Sequence, residues 1–387
     1  MRLPRRMTAF AAAPALILTA LAGCSSDSDA STRTKIVIGA DLALGSAVDN
    51  AYADALQLRI EQINASNKLP DHELELRVMD NRSESKQSLS NISTLADDPG
   101  IAAIITGECD ECVVGAAKTI NDKRVPTIAL AAADQVATPI ESRRYLFKIG
   151  PNGSDSAAAL TAELDRSGKK KVAIVYANNL YGNGVRSHLV SELQKKPQIT
   201  VIAPAPVKPT ATDVSQVIET VTADKPDALV VLTGSDQATA AVTAAKAAKF
   251  KGQVYFDAAA ANDLFVPQEA AVATENTTMV FTQILAIDDV IATSPAKAAR
   301  KQWFRDYTSR YGSYSGVASF GADAVDLIAD AVVRAGGDRQ RLRDVLETSQ
   351  TDGLSGPLRL TPDNHSGLMP QALTLLVARS GRWRLLS

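Results

Sequence analysis

From Lys35 onward, short runs of β-branched residues alternate with longer segments of helical periodicity, and this alternation leaves few folds open to the chain. KIVIGA (35–40) reads as a buried strand and NAYADALQLRIEQIN (50–64) as an amphipathic helix. LELRV (74–78), a helix in SESKQSLSNISTLAD (83–97), IAAIIT (101–106), a helix from Glu111 and VPTIAL (125–130) continue the series. Parallel strands need a crossover, usually a helix, so repeats of this kind predict a parallel sheet covered on both faces. The rhythm restarts after FKIGPNGSDSAAAL (147–160). KVAIVYA (171–177), a helix from Gly182, ITVIAPA (199–205), a helix from Asp213, DALVVLTG (227–234), a helix through TAAVTAAKAAK (239–249) and QVYFDA (253–258) follow. The last third differs: WFRDYTSRYG (303–312), a long helix over 315–336, RLRDVLET (341–348), and two strands at 371–379 and 382–386 around Ser380-Gly381. The class is α/β, in two similar lobes, and 387 residues are enough to give each lobe a core.

The first residues set the compartment. Arg2, Arg5 and Arg6 precede an apolar stretch from Ala9 to Ala22, which ends in LAGC at Cys24. The stretch is too short to span a bilayer and reads as a secretory signal over 1–23. Small residues before a cysteine form a lipobox, so Cys24 is the expected lipidation site and the anchor to the membrane. SSDSDASTRT (25–34) is polar and completes a flexible tether over 24–34. The expected product is extracytoplasmic, on the outer face of the cytoplasmic membrane. With 41 basic residues against 43 acidic ones, and three of the arginines in the signal, no basic footprint for nucleic acid remains.

Export bears on GECDECVVGA (107–116), which holds Cys109 and Cys112, two of the three cysteines. An oxidising compartment permits a disulfide between them. A thiol–disulfide enzyme is the alternative, since a helix N-terminus favours thiolate, although two intervening carboxylates oppose it. Two cysteines fall short of a structural zinc site. No metal and no cofactor is expected. G-x-S-x-G, P-loop and H-E-x-x-H patterns are absent, and His72, His188 and His365 lack metal spacing, so the chain does not read as an enzyme. Trp303 and Trp383 read as core residues.

IGADLALG, EQIN, PGIAAIITG, KVAIVYANNLYGNGV, TDVSQVI, KPDALVVLTG, RDYTSRYG and GLSGPLRLTPDNHSG occur in order along the chain. Together they resemble the leucine/isoleucine/valine-binding family of type I periplasmic solute-binding proteins. The resemblance implies two Rossmann-like lobes with parallel sheets, joined by three crossovers near Gly150–Asn152, Phe281–Leu285 and Ser355–Leu358. It places the N-terminal lobe at 35–150 plus 283–355 and the C-terminal lobe at 153–281 plus 358–387. It implies a monomeric lipoprotein that captures a small polar solute, an amino acid, amide or related compound, for an ABC permease. A ligand-sensing lipoprotein that signals through a membrane receptor is the alternative.

In open parallel sheets ligands sit beyond the carboxyl ends of strands, so each candidate site is a loop after a strand. Ser46 opens the first helix and is either a ligand contact or a cap. Where the resemblance implies small hydroxyl residues for a ligand carboxylate, this chain offers Asp110 or Glu111, and then Ala133 and Asp134. At roughly 4 Å and an effective dielectric near 20, opposed like charges cost about 4 kcal/mol. An ordinary amino acid is therefore less secure as ligand than a cation, an amide or a polyol. The competing expectation is that these acids cap helices and face water. In the second lobe the resemblance implies Tyr181 as the cleft aromatic and Asp236 as an acid for ammonium, with Asp257 a further candidate.

Overall fold

The computed structural model describes residues 33–264 and 266–386; the expected signal, Cys24 and the tether up to residue 32 lie outside the described residues. The first half contains β1 (Thr34–Leu42), α1 (Ala47–Ala65), β2 (His72–Asp80), α2 (Ser85–Asp97), β3 (Ile101–Thr106), α3 (Asp110–Asp122), β4 (Thr127–Ala129) and β5 (Leu146–Lys148). Then come α4 (Gly153–Arg166), β6 (Lys171–Ala177), α5 (Leu180–Gln194), β7 (Thr200–Val201), β8 (Ala205–Val207), α6 (Ser215–Thr222), β9 (Ala228–Leu232), α7 (Ser235–Ala247) and β10 (Gln253–Phe256). The remainder is α8 (Ala271–Thr274), β11 (Thr278–Thr282), α9 (Pro295–Tyr311), α10 (Ala318–Ala335), α11 (Arg339–Leu346), β12 (Gln350–Asp352), β13 (Pro357–Arg359), β14 (Leu373–Arg379) and β15 (Arg382–Leu385). No helix among the described residues is long and apolar enough to cross a membrane.

The first sheet has the order β2-β1-β3-β4-β5 and is parallel throughout. Strands β3, β4 and β5 are buried at every position, as strands covered on both faces must be. The second sheet has the order β15-β14-β11-β10-β9-β6-β7, and β8 also pairs with β6. It departs from the all-parallel expectation: β14 runs antiparallel to β11 and β15 antiparallel to β14. The turn between the last two strands places Ser380 and Gly381 at φ 53° and 74°, the left-handed pair that tight hairpins require. The run at 199–205 is not one strand. It breaks into β7 and β8 around Pro204, which has no N–H to give a ladder.

Helices α9 to α11 return to the first lobe. A side chain at Gly321 of α10 would meet Ala55 Cβ at 3.2 Å, so the glycine sets how closely α10 approaches α1. Arg59 to Asp326 at 2.9 Å and Arg310 to Glu61 at 2.6 Å tie this layer to α1 from its edges. Trp303 and Trp383 are both buried.

Three crossovers join the lobes, and buried polar side chains hold two of them. Lys148 is fully buried before the first. Its Nζ donates to the carbonyls of Ala132, Gly150 and Pro151 at 3.2–3.4 Å and to Asn152 Oδ1 at 2.6 Å. Burial lowers its pKa to about 8, against the pull of Asp134, Asp110 and Asp155. The second crossover follows β11 through a buried turn at Gln283–Ala286. The third lies between β12 and β13, where Asp323 of α10 accepts the amides of Leu354 (2.7 Å) and Ser355 (2.8 Å) and the Ser355 hydroxyl.

Candidate functional site

The loops at the carboxyl ends of the parallel strands meet between the lobes. After β1, Ser46 caps α1 by accepting the Val48 and Asp49 amides at 3.2 and 3.4 Å, and it donates to Glu108. Asp49, fully buried in the first turn, accepts the Ala43 amide at 2.6 Å and the Glu108 amide at 2.8 Å. One carboxylate thus ties the β1 and β3 loops together. Burial, and then the charge of Glu108, raises the Asp49 pKa to about 7. Gly107 leaves the room this needs, because a Cβ there would collide with the Asp49 carboxylate. Gly107→Ala is expected to cost about 2–4 kcal/mol in denaturant unfolding, by breaking a buried charge-assisted network. Wild-type stability in that variant would remove the clamp role of Asp49.

After β3, a disulfide joins Cys109 to Cys112 across a Cα–Cα distance of 5.2 Å, and the Cys112 side is buried. Asp110 does not cap its helix toward water. It is buried, and its Oδ1 accepts the Ala132 amide at 2.9 Å and the Ala133 amide at 2.7 Å. Burial lifts its carboxyl to about 7, although the Ala133 amide pulls the other way. Glu111 is exposed and reaches the other lobe, where its Oε1 accepts the Leu180 amide at the first turn of α5 (2.8 Å). Its charge falls where a helix N-terminus favours an anion.

Asp134, after β4, also crosses between lobes: its Oδ2 lies 2.8 Å from Nε2 of His188 in α5. Ala133 contributes its amide to Asp110 and is itself buried. On another flank, the Leu264 amide donates to Tyr314 O at 3.0 Å and the Gly316 amide to Asn262 O at 2.7 Å. The lobes are therefore in direct contact through several bonds.

In the second lobe Tyr181 is buried, and its hydroxyl donates to Asp257 Oδ2 at 2.9 Å. Burial raises the tyrosine pKa first, followed by Asp257, with Asp110 and Asp134 of the first lobe adding to the effect; the neighbouring Leu180 amide, bonded to Glu111, places the pair at the lobe junction. Burial likewise raises Asp257 to about 7, offset in part by Tyr181 and the Ala259 amide. The second oxygen, Oδ1, is buried as well. Asp236 sits exposed in the first turn of α7. It is near enough to Glu108 to add to the rise in that residue's pKa, of which desolvation is the main cause.

The structure brings Asp110, Glu111, Ala133, Asp134, Tyr181 and Asp257 to one junction, but gives several of them roles the sequence did not suggest. Asp110 and Asp134 do not simply cap helices in water; one is buried and the other bridges lobes. Sequence reasoning did not single out Glu108, Asp49 or Lys148, and weighed His188 only as a metal ligand. Glu108 could have been found, since it lies inside GECDEC; His188 could not, as only folding brings it to Asp134.

Two α/β lobes, three crossovers and loops converging between them define the architecture of a two-lobed binding protein of type I. A sequence profile described as periplasmic binding protein matches residues 37–382, and the chain belongs to that family. In fold it is similar to an extracellular ligand-binding receptor from Rhodopseudomonas palustris HaA2 (TM-score 0.80, 19% identity, 92% of this chain and 100% of that one). It is also similar to the leucine-binding protein LivK of Thermotoga maritima MSB8 (TM-score 0.78, 18% identity, 91% and 98%). A third is a solute-binding protein of an ABC transporter from R. palustris in complex with benzoate (TM-score 0.79, 15% identity, 91% and 96%). No curated protein matches the chain.

Proposed function

We propose that this protein captures a small polar solute between its lobes and delivers it to an ABC permease, as a monomer lipidated at Cys24 outside the cytoplasmic membrane. Residues 24–34 would tether the body, with lobes at 35–150 plus 283–355 and at 153–281 plus 358–387. The observation that carries this reading is the junction itself: Glu111 and Asp134, on the β3 and β4 loops of the first sheet, bond to Leu180 and His188 of α5 in the second lobe, beside the buried Tyr181–Asp257 pair. A few polar groups fixed in an otherwise apolar cleft are what orients a small solute. Family membership and solved relatives described with leucine or benzoate support the same reading. Solute binding would shift an open–closed equilibrium, and the closed form would dock.

Native mass spectrometry of the gently purified chain, followed by thermal shift with amino acids, amides, polyamines and sugars, tests the capture step. A retained solute, or a rise in Tm with one member of the panel, is expected. No retained solute together with no stabilisation would sink the reading. Stimulation of the permease ATPase by the liganded protein in proteoliposomes then tests delivery.

A further inference from the structure

The amino ends of the strands in the second sheet carry a concentration of cations. Lys169, Lys170 and Lys171 lead into β6, Lys225 precedes β9, Lys246 ends α7, and Lys249 and Lys251 precede β10. Seven lysines thus gather at one end of one sheet, in a chain whose formal net charge is −2. Among the described residues none of the seven forms a salt bridge, and only Lys171 has its ammonium hydrogen-bonded, to the Asp224 carbonyl at 2.6 Å. Lys195 and Lys196, at the end of α5, are by contrast paired with Glu192 and Asp165. Lys225 and Lys249 hold φ of 51° and 58°, just after α6 and α7. Glycine or asparagine is the usual residue in that left-handed region at a helix end. A lysine there can serve the last carbonyls of its helix, yet neither ammonium does.

All but Lys171 and Lys246 line one cleft of about 1070 Å³, against two acids, Glu219 and Asp227. Asp227 serves the backbone, its Oδ2 accepting the Lys170 and Lys171 amides at 3.0 Å. Across Phe250 the cleft adjoins a second, of about 680 Å³, which holds Lys246 and the exposed Val272. Apolar side chains are therefore set among the lysines. The first cleft is larger than most small-molecule pockets and suits an extended anionic surface. The carboxyl ends of both parallel sheets face the junction, so the lysines occupy the pole of the second lobe farthest from it. Strand β1 begins at Thr34, at the opposite pole of the protein. From Cys24 to Arg33 the chain can reach at most about 30 Å.

We propose that this lysine pole docks on the anionic lipid headgroups of the bilayer that holds Cys24, as a second membrane contact beside the lipid anchor. This rests on the lipidated, membrane-side location proposed above and adds a surface to it. A polybasic patch strengthens a lipid anchor as a second, reversible signal. Each lysine near an anionic membrane surface tightens binding about fivefold, and salt screens the effect. The short tether keeps the protein beside the bilayer, so headgroups are the anions it meets at the highest effective concentration. Held by its tether at one pole and by lysines at the other, the protein lies lengthwise along the membrane, with the junction between its lobes kept next to the surface.

Vesicle co-sedimentation of the mature chain, residues 24–387 with Cys24→Ser so that no lipid is attached, tests the pole. Vesicles with about 30 mol% phosphatidylglycerol should bind it at least about tenfold tighter than phosphatidylcholine alone, and about 0.5 M salt should abolish the difference. Lys225→Gln, Lys249→Gln and Lys251→Gln combined, checked for folding by circular dichroism, should weaken that binding by at least about tenfold. Lys86→Gln, Lys118→Gln and Lys123→Gln combined change the net charge equally on the first lobe and should bind like the parent. No preference for phosphatidylglycerol overturns the inference. Equal loss in the two triple variants also overturns it, since net charge alone would then explain the binding. Tighter binding to inorganic polyphosphate in solution than to the vesicles overturns it too, and assigns the pole to a soluble polyanion. Solute retention in the native mass spectrum is read independently, so docking can fail while capture stands, and capture can fail while docking stands.

Discussion

Asp323→Ala is expected to destabilise the protein by about 3–5 kcal/mol, the range for removing one partner of a buried ionic hydrogen-bond cluster. The carboxylate is buried in α10 and serves two backbone amides and one hydroxyl of the third crossover. Alanine leaves all three donors buried without an acceptor, and each loses its share of the exchange with water. Gly353 sits so close that a Cβ there would be 2.7 Å from Asp323 Oδ1, so the loop has no slack to find another partner. Asp323→Asn keeps one acceptor oxygen and should lose less. Chemical denaturation of both variants measures the difference. Because the crossover is a hinge segment, solute affinity should fall with stability in the alanine variant. A loss under about 1 kcal/mol would show that the crossover is held by its packing instead.

The second large effect is on pH. Burial raises the carboxyls of Asp49, Asp110, Asp257 and Asp323 to about 7 in the folded chain. In the unfolded chain such groups titrate near ~3.9. Between those values the folded state binds more protons than the unfolded one, so stability falls as pH rises through that window and levels off above it. From pH 5.5 to 7 each group accounts for about 1–2 kcal/mol, by the free energy of one pKa unit. Carboxylates with lowered pKa, Asp98, Asp165, Asp213 and Asp227 among them, act in the opposite sense, but only in the acid range below that window. Lys148, lowered to about 8, is charged throughout it and adds no slope. Calorimetry should therefore give a higher Tm at pH 5.5 than at pH 7.5, and Asp257→Asn should remove about a quarter of the difference. A Tm that falls steadily on acidification across that range would refute the buried-acid account.

The fold was largely legible from periodicity because the sheet strands are short apolar runs with little ambiguity. IAAIIT and KVAIVYA coincide with β3 and β6 residue for residue. The antiparallel end of the second sheet was half legible: Ser380-Gly381 marked the hairpin, but nothing local says which strand β14 joins. The site was less legible. Its acids were visible in the sequence, yet a carboxylate's role depends on which amides come within reach. Asp110 binds amides 22 and 23 residues further on, and Asp134 a histidine 54 residues away. Such distances are set by tertiary packing and leave no local pattern.

The bonds from Glu111 to the Leu180 amide and from Asp134 to His188 run from one lobe to the other. Under the proposed capture mechanism, each would raise the share of protein already shut before binding, and with it the share of intrinsic affinity that reaches the observed Kd. The same bonds would have to break before a captured solute leaves. Loosening them, as in Glu111→Gln, trades tightness of capture for speed of unloading.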